Sequence, residues 1–309
     1  MNDQPAFSPY LALLIATIAV STSAILVKLS AAPAAIIAVY RLLFTVLLML
    51  PLIVWRHLGE LSRISARDWV FSFLSGLFLA LHFLLWFESL NYTSVASSVI
   101  LVTLQPLFSF VGAYLFFKER VSPAGIAGGL IAIGGSMFIG WSDFQIGGTA
   151  LFGDILALLG AAAVTGYWLF GQSVRKRLSL MIYTFVVYTI STAFLLMYVL
   201  VQDIPLFPYG GSEWLIFLGL AVFPTLLGHS VFNWVIKWLS ANTVSMAILG
   251  EPIGAAILAY FILNEKITAA QTMGTAVILC GIYLFMRFSQ PSAKATPETQ
   301  RSGIEEKQA

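Results

Sequence analysis

Long apolar runs alternate with short polar connections along this chain. The runs cover approximately residues 10–29, 33–55, 68–90, 93–117, 122–140, 151–172, 179–200, 213–238, 243–263 and 268–288. Each is close to the 20 or so apolar residues that a bilayer-spanning helix needs. Membrane strands alternate apolar and polar residues over about 10 positions, whereas these runs are apolar on nearly every face. The pattern predicts an all-α integral membrane protein with ten transmembrane helices. Residues 1–9 carry no Lys or Arg and no small-residue cleavage site ends the first run, so it reads as a helix and not as a signal peptide. Residues 289–309 are polar and aperiodic, which predicts disorder.

The runs repeat. A shift of 146 residues lays Ser94 on Ser240, Pro106 on Pro252, Ala113-Tyr114 on Ala259-Tyr260, Glu119 on Glu265, Gly128 on Gly274 and Gly135 on Gly281. A shift of 145 lays Leu11-Ala-Leu-Leu14 on Leu156-Ala-Leu-Leu159. Each half therefore carries five predicted helices. Five is odd, so the second half enters the membrane upside down. The expected organisation is a cytoplasmic tail over 1–9, a first repeat over 10–140, an outer linker over 141–150, a second repeat over 151–288 and a cytoplasmic tail over 289–309. Inverted repeats are a building plan of secondary transporters, with the substrate site near the bilayer midplane between the halves.

Charge sets the orientation. With the N-terminus inside, the inner segments hold Arg56, Arg63, Arg67, Lys118, Arg120, Arg175, Lys176, Arg177, Lys237, Arg287, Lys294, Arg301 and Lys307, which is 13 of the 16 Lys and Arg residues. The outer segments hold Lys28 and Lys266, and Arg41 lies inside a run. The positive-inside rule then places both termini in the cytoplasm, and the expected location is the plasma membrane. Composition agrees, since 59% of residues are hydrophobic and 10% charged, against about 25% charged in soluble domains. A soluble enzyme is excluded. The single cysteine, Cys280, rules out an internal disulfide and a cysteine-built metal site, and a net charge of +2 implies no nucleic-acid partner.

Polar groups inside the runs are the informative ones. A charge at a helix centre costs about 2.5–3.5 kcal/mol on insertion scales. Arg41 lies about 8 residues from the outer end of its run and Glu251 about 8 from the inner end of its own, roughly 12 Å each at 1.5 Å per residue. In a core about 30 Å thick the two depths differ by about 6 Å, within reach of an arginine side chain. The repeat does not duplicate them: Glu251 aligns with Gln105 and Arg41 falls near Val186. Arg41 suits a carboxylate or phosphate, because guanidinium binds such groups bidentately. Glu251 suits an ammonium group or a proton. The structural alternative is a buried Arg–Glu pair that orders the bundle. His82 with Trp86, and His229 with Asn233, share helix faces at i,i+4 spacing on repeat-related helices. Either histidine suits proton relay or an interhelical hydrogen bond. Trp168 shares a face with Thr165 and Gln172, and Tyr167 lies beside it. Thr17 and Ser21 read as helix-packing hydroxyls, and Gly125/Gly129 and Gly250/Gly254 as close-approach motifs. Pro106, Pro224 and Pro252 read as kinks within spans, and Glu119 and Glu265 as solvated or interfacial turn residues.

These motifs resemble the EamA family of the drug/metabolite transporter superfamily. The resemblance rests on Leu104-Gln-Pro106 through Lys118-Glu119 to Gly135, and on Gly250-Glu-Pro252 through Asn264-Glu265 to Gly281. Arg41, Gly153-Asp154 before Leu156, and Ser21-Thr-Ser23 followed by Lys28 add to it. The usual Trp-Gly of the first helix is Val20-Ser21 here. The resemblance spans roughly residues 10–288. It implies two five-helix EamA repeats and a metabolite transporter, usually an exporter, with no nucleotide-hydrolysing subunit. The expected function is secondary active or facilitative transport of a small metabolite, an amino acid or related compound, by alternating access. The alternative is a membrane-embedded channel, receptor or lipid-processing protein. Substrate would bind Arg41, His82, Trp86, Trp168, His229, Asn233 and Glu251, with protons as the candidate coupling ion. No catalytic residue, cofactor or metal is expected, and the unit is a monomer or homodimer in the lipid bilayer.

Overall fold

The structure is a computed structural model and describes residues 5, 7–93, 95–140, 148–264 and 267–288. Ser94, Trp141, Glu265, Lys266, most of the expected linker and N-terminal tail, and the whole of 289–309 lie outside the described residues. The described residues are helical throughout, with no strand. The helices are α1 (Pro9–Leu29), α2 (Ala34–Leu52), α3 (Ala66–Ser89), α4a (Val95–Val102), α4b (Gln105–Phe117), α5 (Pro123–Gly140), α6 (Gly148–Val174) and α7 (Leu180–Val201). Helix α8 runs as Gly211–Leu220, a π-helical Ala221–His229 and Ser230–Val235. Then come α9a (Ala241–Ile248), α9b (Glu251–Leu263) and α10 (Ala269–Phe288). Nine stretches of described residues are long and apolar enough to cross a bilayer, and Pro123–Ile139 is a shorter apolar helix.

Local sequence sets the starts of these helices. Ser65, Ser179 and Ser240 each accept a hydrogen bond from the backbone N–H three residues on, the usual means of satisfying a donor that the first helical turn leaves free. The prolines act differently from the kinks that the sequence suggests. Spans four and nine are broken just before Gln105 and Glu251, so Pro106 and Pro252 sit in the first turn of α4b and α9b. Proline lacks only an N–H that has no helical partner there. Both half-helices end alike, on a left-handed residue, Lys118 (φ 57°) and Asn264 (φ 54°). Pro224 does lie within its span, inside the π segment of α8.

The helices pack with twofold symmetry. Helix α3 lies on α6 and α1 on α8; α6 lies on both pieces of α4 and α1 on both pieces of α9; α3 meets α7 as α2 meets α8. Exchanging the two repeats maps each contact onto its partner. Helices α5 and α10 show the inversion directly. A side chain added at Gly128 would meet the Gly281 carbonyl, and one at Gly135 would meet the Gly274 carbonyl. These pairings run in opposite directions along the two helices, so equivalent helices are antiparallel. The shift of 146 also turns one pairing into the other. The close approach in α5 thus uses Gly128 and Gly135, whereas Gly129 abuts the Phe110 ring. Gly250 and Gly254 do face another helix closely, against Thr17 and Ser21 of α1.

Candidate substrate site

The breaks in spans four and nine face each other across a small central cavity. It is lined by Arg41, His82, Trp86, Trp168, His229 and Glu251, together with Ser23 and Gln105. Six of the seven side chains singled out from the sequence therefore converge, from five different helices.

Arg41 is fully buried. Its Nε donates to Thr225 Oγ1 at 2.8 Å and its Nη1 to Ser23 Oγ at 3.0 Å. The guanidinium lies 4.4 Å from the centre of the Phe83 ring, a favourable cation–π placement. The Thr225 hydroxyl donates its own proton to the Leu220 carbonyl at 2.7 Å. It therefore meets Arg41 as an acceptor. The π segment around Pro224 creates this arrangement, because its wider turn carries Thr225 and His229 on the cavity side. π-Helical turns are often found at functional sites.

Glu251 is the first residue of α9b and is 7% exposed. Its carbonyl accepts from Ser21 Oγ at 3.1 Å. Among the described residues no group donates a hydrogen bond to its carboxylate, and no direct ion pair joins it to Arg41. Arg41 and Glu251 thus face one cavity without closing on each other. A helix N-terminus favours an acidic side chain, which supports the placement.

Two stacked aromatic pairs wall the cavity. His82 stacks on Trp86 with centroids 5.6 Å apart, and Trp168 stacks on His229 at 5.6 Å. The two histidines are 6.5 Å apart. His82 Nδ1 lies 3.0 Å from the Gly160 carbonyl. A carbonyl only accepts, so Nδ1 carries the proton and Nε2 is left as an acceptor. Trp168 Nε1 donates to Gln105 Oε1 at 3.3 Å. His229 Nδ1 and Trp86 Nε1 are buried with no hydrogen-bond partner among the described residues. An unmade hydrogen bond of this kind costs roughly 1–3 kcal/mol, so these atoms are poised for a ligand or water.

Asn233 does not line the cavity. It lies one turn below His229, where its Nδ2 donates to the His229 carbonyl at 2.9 Å and to the Tyr167 hydroxyl. It supports the histidine from behind. Ser23, Thr225 and Gln105 are the site residues that the sequence reading did not select. For Gln105 the signal was present, since it is the repeat mate of Glu251.

The cavity measures about 20 Å³, room for about one water molecule. It is occluded. On the far side of Trp86 a second cavity of about 210 Å³ is lined by Val27, Lys28, Ser30 and Asn91, and Trp86 belongs to both.

The EamA-like transporter family matches residues 7–141 and 151–287. An uncharacterized transporter of Archaeoglobus fulgidus is 26% identical over 80% of this chain and 84% of its own length. An uncharacterized transporter of Synechocystis sp. is 22% identical over 81% of this chain and 75% of its own. A solved crystal structure superposes with a TM-score of 0.76 over 92% of this chain and 98% of its own, at 19% identity, which shows the fold.

Proposed function

Because the chain belongs to the EamA-like transporter family, we propose that it exports a small metabolite, an amino acid or related compound, by alternating access around the central cavity. It is a multi-pass membrane protein. The proposal places it in the plasma membrane with both termini cytoplasmic, and with the end that carries Lys118 and Arg175–Arg177 facing the cytoplasm. One observation carries the reading of substrate. A buried cation and a buried carboxylate face one cavity without pairing, between two stacked aromatic walls. A molecule with a carboxylate, an ammonium group and an apolar body complements all three. Arg41, held in place by Ser23 and Thr225, would bind the anionic group. Glu251 would bind the cationic group or a coupling proton. Trp86 and Trp168 would enclose the apolar part.

Counterflow in proteoliposomes against a metabolite panel, with and without a pH gradient, tests this. Uptake of at least one amino-acid-like compound is expected. Arg41→Lys keeps the charge and removes the bidentate fork, so affinity for that compound should fall at least tenfold. If Arg41→Lys and Trp168→Ala both leave affinity unchanged, the site lies elsewhere. Topology has its own check. In a Cys280→Ser background, a cysteine at Ser212 should react with an impermeant reagent from outside intact cells, and one at Ser173 should not. The reverse pattern would overturn the orientation.

A further inference from the structure

The two ends of the molecule are closed by different means. At the end carrying Lys118 and Arg175, the Gln172 side chain bridges both repeats. Its Nε2 donates to Glu119 Oε1 at 2.6 Å, and its Oε1 accepts from the Ala241 N–H at 2.6 Å. Alongside, Ser109 Oγ donates to Asn242 Oδ1 at 2.6 Å. Gln172, Ser109 and Asn242 are all buried. Glu119, read from the sequence as a solvated or interfacial turn residue, is tied across the repeat boundary.

The repeat shows what stands at the opposite end. The mates of Ser109 and Asn242 are Ala255 and Ala96, and the mate of Gln172 is Val27. None has a hydrogen-bonding side chain. That end holds instead the cavity of about 210 Å³, lined in part by Val27 and floored by Trp86. At the periphery both ends are tied, the outer one also by Thr93 Oγ1 donating to Asp154 Oδ1 at 2.7 Å. Arg177 pairs with Asp68 at 2.5 Å, and the Ala31 N–H bonds Glu213 at 2.9 Å. Residue 213 is the repeat mate of 68, and 31 falls one residue from the mate of 177.

We infer that Gln172, with the Ser109–Asn242 pair, is a latch that locks the inner end, and that Trp86 alone separates the central cavity from the outer one. This rests on the transport reading above. At the centre, opening outward moves one indole whose Nε1 has no hydrogen-bond partner among the described residues; at the rim it also parts Thr93 Oγ1 from Asp154 Oδ1, 2.7 Å apart. Opening inward breaks three hydrogen bonds at the centre, two between the repeats and one within the second. The central barrier is therefore weaker on its outer side than on its inner side.

Thiol accessibility tests the latch without any substrate, so it stays informative even if the whole metabolite panel fails. The reporter is Val164→Cys, in the cavity wall, in the Cys280→Ser protein. It is modified with a small impermeant thiosulfonate, which forms a mixed disulfide with the thiolate and releases sulfinate, in right-side-out and inside-out vesicles. Gln172→Ala should raise the rate at least fivefold from the inner face and leave the outer rate within twofold. Trp86→Ala should do the reverse. Asn242→Ala provides a second route should Gln172→Ala fail to fold. If neither latch variant raises the inner rate in well-folded protein, or if Trp86→Ala raises both rates equally, the assignment is wrong. If all the effects appear with the faces exchanged, the latch stands and the membrane orientation falls.

Discussion

The breaks in α4 and α9 share a backbone and differ in chemistry. Gln105 and Glu251 both open a half-helix, both precede a first-turn proline, and both half-helices end on a left-handed residue. A hydroxyl from the first helix of the opposite repeat reaches each break: Ser21 Oγ to the Glu251 carbonyl at 3.1 Å, and Thr165 Oγ1 to the Gln105 carbonyl at 3.4 Å. The side chains then part ways. Gln105 is occupied by Trp168, whereas Glu251 has no donor among the described residues. A neutral side chain therefore suffices to build the break. The ionisable group at the second break is not required by the fold, because burying a carboxyl has a cost that a neutral amide avoids.

The largest effect should come from moving that charge. Glu251→Gln is expected to fold normally and to lower transport at least tenfold, or to abolish its pH dependence. Gln105→Ala should lower transport by only a few-fold, since it loses one neutral hydrogen bond to Trp168. The exchange Gln105→Glu with Glu251→Gln keeps the composition but moves the carboxylate to the other break, and it should restore neither the transport rate nor the pH dependence lost in Glu251→Gln in the counterflow assay. Recovery in the exchanged protein would mean that the two breaks are interchangeable and that the comparison teaches nothing about function.

Much of this was legible in the sequence, for physical reasons. Hydrocarbon allows few polar groups, so Arg41, Glu251, His82 and His229 stood out and their convergence followed from energetics. The matched Pro, Gly and Glu residues revealed the repeat. Less legible was anything that depended on backbone departures from a regular helix. Helical spacing placed Asn233 with His229 on one face, but the π segment ends at His229 and turns that histidine to the cavity while Asn233 points to Tyr167. Thr225 became an Arg41 partner through the same segment. Pro106 and Pro252 read as kinks because hydropathy runs unbroken across Thr103-Leu104 and Leu249-Gly250. Gln172 was noticed on its helix face, but one partner, Glu119, lies across the repeat boundary and the other, Ala241, opens a distant helix, which no local pattern reports.

A smaller effect is expected at the prolines. Pro106→Ala and Pro252→Ala should each change stability by less than about 1 kcal/mol, because a first-turn proline forgoes no helical hydrogen bond. A proline placed in mid-helix, as in Val187→Pro in α7, should cost roughly 3 kcal/mol or more. Steric-trapping or denaturant titrations in bicelles would measure the difference. A loss of about 3 kcal/mol at Pro252 with none at Pro106 would show that the two breaks are built differently after all.

The smallest effect tests the backbone half of the comparison. Ser21 and Thr165 each have one proton and two acceptors. Ser21 Oγ lies 2.8 Å from the Thr17 carbonyl in its own helix, and Thr165 Oγ1 lies 2.9 Å from that of Ala161. The shorter intrahelical bond holds the proton for most of the time, so the bond that crosses to the break is the weaker one. Hydrogen bonds between membrane helices average about 0.6 kcal/mol in mutant cycles. Ser21→Ala and Thr165→Ala should therefore each cost about 0.5 kcal/mol, and the two values should agree to within about 0.3 kcal/mol. Equal small losses would place both hydroxyls in one symmetric role at the two breaks. A loss above about 2 kcal/mol at Ser21, with none at Thr165, would instead tie Ser21 to Glu251 itself, and the shared backbone would no longer separate fold from charge.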